Sequence, residues 1–182
     1  MLATPGSLPG GPDWLFEVEW DGLRILAEVE ERRLRLTDAG GTDRTGVFPE
    51  LAAIADLAPD VLLDGVVVLL ADGVPSGEAL ARRLAGHGEP GAVTFMAFDV
   101  LRLYGVPLLD RPLADRRATL ERLAFDPAPD AAVTRSPVYS DGVALLAATA
   151  QRGLPGVVAK RRSSVYRPGL RCLDWLRVPS RP

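Results

Sequence analysis

Apolar and polar positions alternate with a period of two through Trp14, Phe16, Val18 and Trp20, and again through Leu23, Ile25, Ala27 and Val29. Such alternation places successive side chains on opposite faces of a strand. The Asp21-Gly22 step between the two runs predicts a tight hairpin. Arg33-Leu34-Arg35-Leu36-Thr37 repeats the alternation and predicts a third strand after a turn near Glu30-Glu31, with a further turn over 38–43. Residues 1–13 hold Pro5, Gly6, Pro9, Gly10, Gly11 and Pro12 and read as an entry loop.

Beyond this point the period changes repeatedly. Pro49 stands at the start of a predicted helix over about 50–57, with Leu51, Ile54 and Leu57 on one side. Val61 to Leu70 is almost continuously apolar, a buried strand bent at Asp64-Gly65. After a turn at Asp72-Gly73, a short helix over 78–84 stops at Gly86. A loop with Gly88, Pro90 and Gly91 then leads into a strand over 93–101 that ends at Tyr104-Gly105. Leu113, Arg116, Arg117, Leu120 and Leu123 fit a helical period within 112–123. A proline loop over 126–130 and a strand over 131–138 follow. Asp141 opens a helix to Arg152 that Gly153 ends. Val157–Lys160 and Leu173–Val178 are strands, separated by a turn at Tyr166-Arg167-Pro168-Gly169. Strands in hairpins with helices interspersed predict an α+β domain, mostly antiparallel, rather than a doubly wound sheet.

Composition narrows the class. The chain has 182 residues, enough for one domain with a sizeable core. No apolar run approaches the roughly 20 residues that span a bilayer, and the N-terminus lacks a basic start before an apolar stretch. Cys172 is the only cysteine, which fits a reducing cytoplasm and a packing role. His87, the only histidine, supports no histidine-based metal cluster or triad. Charge is unevenly spread. Residues 1–110 carry 8 basic and 18 acidic groups, and residues 111–182 carry 13 and 6. The last part, 151–182, sets eight basic residues against Asp174 alone, and Lys160 is the only lysine beside 20 arginines. A cationic stretch of this kind is either a solvated tail or a phosphate-binding surface.

Several stretches together carry a resemblance. They are Met1-Leu2-Ala3-Thr4-Pro5, Glu19-Trp20-Asp21-Gly22-Leu23-Arg24, Leu63-Asp64-Gly65, Phe98-Asp99-Val100-Leu101, Gly156-Val157-Val158-Ala159-Lys160-Arg161, Tyr166-Arg167-Pro168-Gly169 and Asp174-Trp175-Leu176-Arg177-Val178. In this order and spacing the sequence resembles the nucleotidyltransferase (adenylation) domain of ATP-dependent DNA ligases of the bacterial non-homologous end-joining type. The resemblance implies the fold shared by DNA ligases and mRNA capping enzymes. It also implies a lysine nucleophile that takes AMP from ATP, carboxylates for a divalent metal such as Mg2+, an aromatic ring against adenine and further lysines at the α-phosphate.

Compared position by position, that chemistry is depleted. The first motif of the family is Lys-x-Asp-Gly-x-Arg, and Glu19 stands where the lysine would be. Val66 and Pro155 stand where the family has metal-binding glutamates, Ala39 where it has an arginine, and Arg177-Val178-Pro179 where it has Lys-x-Lys. Asp21, Gly22, Arg24, Phe98, Asp99 and Lys160 match, although Asp21 and Gly22 also suit a turn and Phe98 also suits a core strand. These residues form a vestigial nucleotide site with no catalytic residue, no metal site and no cofactor of its own.

The expectation is a single ligase-like domain over 1–182, without the oligonucleotide-binding fold that such ligases use to clamp a nick. As a pseudoenzyme in DNA repair or recombination it would bind DNA, nucleotide or a repair protein, with Lys160, Arg161, Arg162, Arg167, Arg171 and Arg177 as candidates for phosphate. Two alternatives stand beside it: a protein-interaction module that binds no nucleic acid, and residual ligase activity through another nucleophile or a partner chain. Charge also suggests that Glu19 pairs with Lys160 or Arg177.

Overall fold

A computed structural model of the chain describes residues 1–71, 73–87, 92–126, 128 and 131–180. The expected loop at Gly88, Pro90 and Gly91, Asp72 of the expected turn, and Pro127, Pro129 and Asp130 of the proline loop lie outside the described residues. In chain order the strands are β1 (Leu2–Pro5), β2 (Trp14–Glu19), β3 (Leu23–Glu30), β4 (Arg33–Asp38), β5 (Asp60–Ala71), β6 (Val74–Pro75), β7 (Ala92–Leu103), β8 (Val106–Pro107), β9 (Val133–Arg135), β10 (Gly156–Arg161) and β11 (Arg171–Pro179). The helices are α1 (Gly77–Leu84), α2 (Leu113–Glu121) and α3 (Gly142–Gln151), with 3-10 turns at Thr45–Val47 and Pro49–Asp56. Two compact units result. One comprises Met1–Trp20, Leu109–Arg116 and Ser136–Pro182, and the other Asp21–Leu108 and Arg117–Arg135.

The first unit holds a four-stranded sheet in the order β1-β11-β10-β2. β10 is antiparallel to both neighbours, while β1 runs parallel to β11. The alternation of β2 sends Trp14, Phe16 and Val18 to the face that α3 covers, where they pack with Leu145, Val157 and Ala159. Gly142 is required at the start of α3, since a Cβ there would lie 2.5 Å from the Phe16 ring. Asp141 caps the helix by accepting from the Ala144 amide at 2.9 Å, and Gly153 ends it at φ +68°.

The second unit is built on a seven-stranded sheet whose main path is β4-β3-β5-β7-β8, with β6 on β5 and β9 on β7. Its core includes Ile25, Leu36, Phe48, Val61, Leu63 and Phe95. The predicted bend at Asp64-Gly65 is a bulge in the β5–β7 ladder, and a Cβ on Gly65 would sit 2.4 Å from Phe95. Tyr104 and Gly105 both take positive φ in the β7–β8 turn, as Glu31 and Arg32 do between β3 and β4.

Four expectations need correction. β2 and β3 do not pair: β2 joins β10, and β3 lies between β4 and β5, so Asp21-Gly22 carries the chain from one sheet to the other. The entry loop contains a strand, because Leu2–Pro5 pairs in parallel with β11, Pro5 included. Pro49–Asp56 is 3-10 rather than α, consistent with burial of Leu51 and Ile54 at a spacing of three. The strand expected over 131–138 shortens to β9, Val133–Arg135.

Candidate functional site

The face of β2 opposite α3 carries Leu15, Glu17 and Glu19. The register aligns Leu15, Lys160 and Trp175 in one row, Glu17, Val158 and Arg177 in the next, and Glu19, Gly156 and Pro179 in the third. Each cation reaches one row along to a carboxylate. Lys160 Nζ donates to Glu17 Oε1 at 2.9 Å and lies 4.4 Å from the centroid of the Trp175 ring. Both side chains of that pair are only 3% exposed. Arg177 Nε approaches Glu19 Oε1 to 2.5 Å, with side-chain exposures of 55% and 17%. The ion pair anticipated for Glu19 is therefore made with Arg177, and Lys160 belongs to Glu17. Glu17 was not singled out in the sequence, although its i,i+2 spacing from Glu19 on a strand puts both on one face.

Glu19 is constrained. Its Oε2 is buried without a hydrogen-bond partner among the described residues. Burial raises its carboxyl above the ordinary glutamate range, and the charge and hydrogen bond of Arg177 offset only part of that.

Three more of the C-terminal cations have local partners. Arg161 Nε pairs with Asp174 at 3.0 Å, and its guanidinium lies 4.5 Å above the Trp14 ring. Arg162 Nε donates to the Pro12 carbonyl at 3.0 Å, and Arg171 donates to the Ala3 carbonyl. The Arg167 side chain has no partner among the described residues. Arg116, wholly buried, donates to the carbonyls of Arg111 and Ser164. Pro155 is half-buried and its carbonyl accepts from Ser180.

In the second unit, Arg24 lies opposite Val66 on β5 and reaches to Asp64. Two hydrogen bonds of 3.0 and 2.6 Å form a forked contact, and the Asp64 side chain is fully buried. The same guanidinium sits 5.5 Å from the centroid of the Phe98 ring, itself 8% exposed. Asp99 faces Asp64 across the β5–β7 ladder and accepts from the Val100 amide at 2.9 Å. Asp21 accepts from the Gly77 amide at 3.3 Å, at the positive end of α1. Gly22 is needed for contact, since a Cβ would lie 2.4 Å from the Val67 carbonyl. Ala39 is exposed in its turn. The Arg24–Asp64 fork escaped the sequence reading, which offered no signal for the pairing beyond the two motifs themselves.

Among the described residues no helix is long and apolar enough to cross a membrane, and no three His, Cys, Asp or Glu side chains are grouped as metal ligands.

Comparison with known proteins identifies the family and the fold. A family model described as "ATP dependent DNA ligase domain" matches residues 8–178. The chain is 40% identical to the multifunctional non-homologous end joining protein LigD of Mycobacterium bovis, over 97% of this chain and 23% of the relative. It is 37% identical to a probable DNA ligase of Streptomyces griseus, over 89% of this chain and 35% of that protein. It thus spans well under half the length of these curated relatives. A solved mycobacterial DNA ligase D complexed with ATP and MES superposes with a TM-score of 0.83 at 38% identity, over 98% of this chain and 58% of that one. Chlorella virus DNA ligase-adenylate shares the fold, with a TM-score of 0.67 at 13% identity over 97% and 66% of the two chains. The chain belongs to the ATP-dependent DNA ligase domain family.

Proposed function

We propose that this chain is a ligase-type nucleotidyltransferase domain that serves end-joining DNA repair by binding rather than by covalent transfer. One observation carries the reading: the nucleophile position holds Glu19, whose carboxylate is engaged by Arg177 at 2.5 Å. A carboxylate there repels phosphate instead of attacking it. Two like charges about 4 Å apart cost about 4 kcal/mol at an effective dielectric near 20. The residues present do not fit ATP with Mg2+ in the manner of the family. Val66 and Pro155 offer no side-chain oxygen where the metal carboxylates would be. Lys160, the only side-chain amine, is 3% exposed and held by Glu17, which argues against its acting as a substitute nucleophile.

DNA is the proposed ligand of the cationic C-terminal segment, through Arg162, Arg167 and Arg171. A mobility-shift titration on nicked and intact duplex tests it: binding that weakens with salt is expected, and no shift at about 50 mM salt overturns it. A second reading, a protein-interaction module that binds no nucleic acid, is favoured by the partners already found for Lys160, Arg161 and Arg177. The same titration separates the two. The domain is further proposed to work alongside a repair protein or a longer polypeptide, as a single adenylation-type domain within 1–182.

A further inference from the structure

We infer that Glu19 acts as an internal substitute for an anion at Arg177, so that this sheet face keeps an anion site already filled by the chain's own carboxylate. The inference deepens the reading above and rests on it for the expectation that the displaced anion is a phosphate.

The geometry supplies the argument. A guanidinium presents five donors in a planar fork, and carboxylate and phosphate oxygens are interchangeable acceptors for it. Arg177 directs Nε at Glu19 Oε1, while 55% of its side chain remains exposed. The contact crosses β10 beside Gly156, which stands in the Glu19 row and has no side chain to obstruct it. Glu19 gains little else from its position, since Oε2 is buried without a hydrogen-bond partner among the described residues. A buried acceptor left unmatched is a cost, and Arg177 is what the structure shows to offset it.

The neighbouring pair shows the contrast. Glu17 and Lys160 meet by the same one-row step but are each 3% exposed. Solution anions have no access to that pair, so it is structural. The Glu19–Arg177 pair is the outer one, and an external anion competes there directly with a tethered carboxylate. Tethering gives the carboxylate a high effective concentration, so the wild-type site excludes anions present at ordinary concentration. Removing the charge of Glu19 removes the competitor and leaves Arg177 free to donate.

The test is calorimetric titration of inorganic pyrophosphate, with inorganic phosphate beside it, at fixed ionic strength. Wild type, Glu19→Gln, Glu19→Ala and the double variant Glu19→Gln/Arg177→Gln are compared, each checked for folding by its thermal melt. The expected result is at least tenfold tighter pyrophosphate binding in both single variants, lost in the double variant. Unchanged binding in the folded single variants, or a gain that survives loss of Arg177, overturns the inference. Failure here leaves the DNA-binding reading intact. Failure of the wild-type duplex shift would sink that reading and leave this result standing.

Discussion

Glu17 and Lys160 form a charged pair in which each side chain is 3% exposed, beneath the Trp175 ring. Breaking such a pair from one side strands the other charge in a poorly solvated place, which typically costs about 3–5 kcal/mol. Lys160→Met is therefore expected to lower unfolding stability in urea by about that amount, and Glu17→Leu/Lys160→Met to recover much of it. A double variant as weak as the single one would show that the pair contributes more than mutual neutralisation. Glu19 gives a pH signature. Its carboxyl is raised in the folded protein, mainly by burial, from an ordinary value of 4.5. The folded state thus holds this proton more tightly than the unfolded chain. Its favourable contribution is complete below the ordinary value and is lost as pH rises through the raised one. The stability of Glu19→Gln relative to wild type is expected to grow over that rise. A flat difference between about pH 4 and pH 7 would contradict it. That Glu19 meets a cation was legible from charge alone. Which cation was not, because the choice depends on the register of three strands that are far apart in sequence.

At the level of elements, the sequence was most reliable where local chemistry decides. Asp141 and Gly153 bound α3 as cap and terminator, and the period of Leu113, Arg116, Arg117, Leu120 and Leu123 marked side chains that are all buried, arginines included. It failed at Asp21-Gly22, where two alternating runs and a turn dipeptide specify strands but not their partners. The glycine is kept there by close approach to β5 rather than by a hairpin. Gly22→Ala would place a Cβ 2.4 Å from the Val67 carbonyl and 2.6 Å from Val66 Cγ1. We expect it to destabilise the fold by about 1–3 kcal/mol in thermal melts. Val66→Ala relieves only the side-chain part of the clash, so the double variant should recover partially, and full recovery would argue that the carbonyl contact is unimportant. The β1 strand was hidden because its partner, β11, lies at the other end of the chain, and prolines around it masked a short pairing segment.

Across the whole molecule, the charge imbalance of the sequence overstates the free positive charge. Eight basic residues crowd 151–182. Of the six among them that are candidates for phosphate contact, Lys160, Arg161 and Arg177 are paired with carboxylates, which leaves Arg162, Arg167 and Arg171. If those three make the contacts, the log–log salt dependence of duplex binding should have a slope no steeper than roughly −3, at about −0.9 for each phosphate neutralised. A slope near twice that would mean that the ion pairs open on DNA. The family itself was legible because its motifs survive in order, and the fold could be named from them. What the motifs could not reveal was how altered and matching positions pair in space, since Glu19 with Arg177 and Arg24 with Asp64 are three-dimensional pairings. The central claim is that this site no longer takes AMP covalently. Intact-mass measurement after incubation with ATP and magnesium or manganese tests it most directly. An unchanged mass is the predicted result, and a gain of one AMP, lost in Lys160→Met, would contradict it.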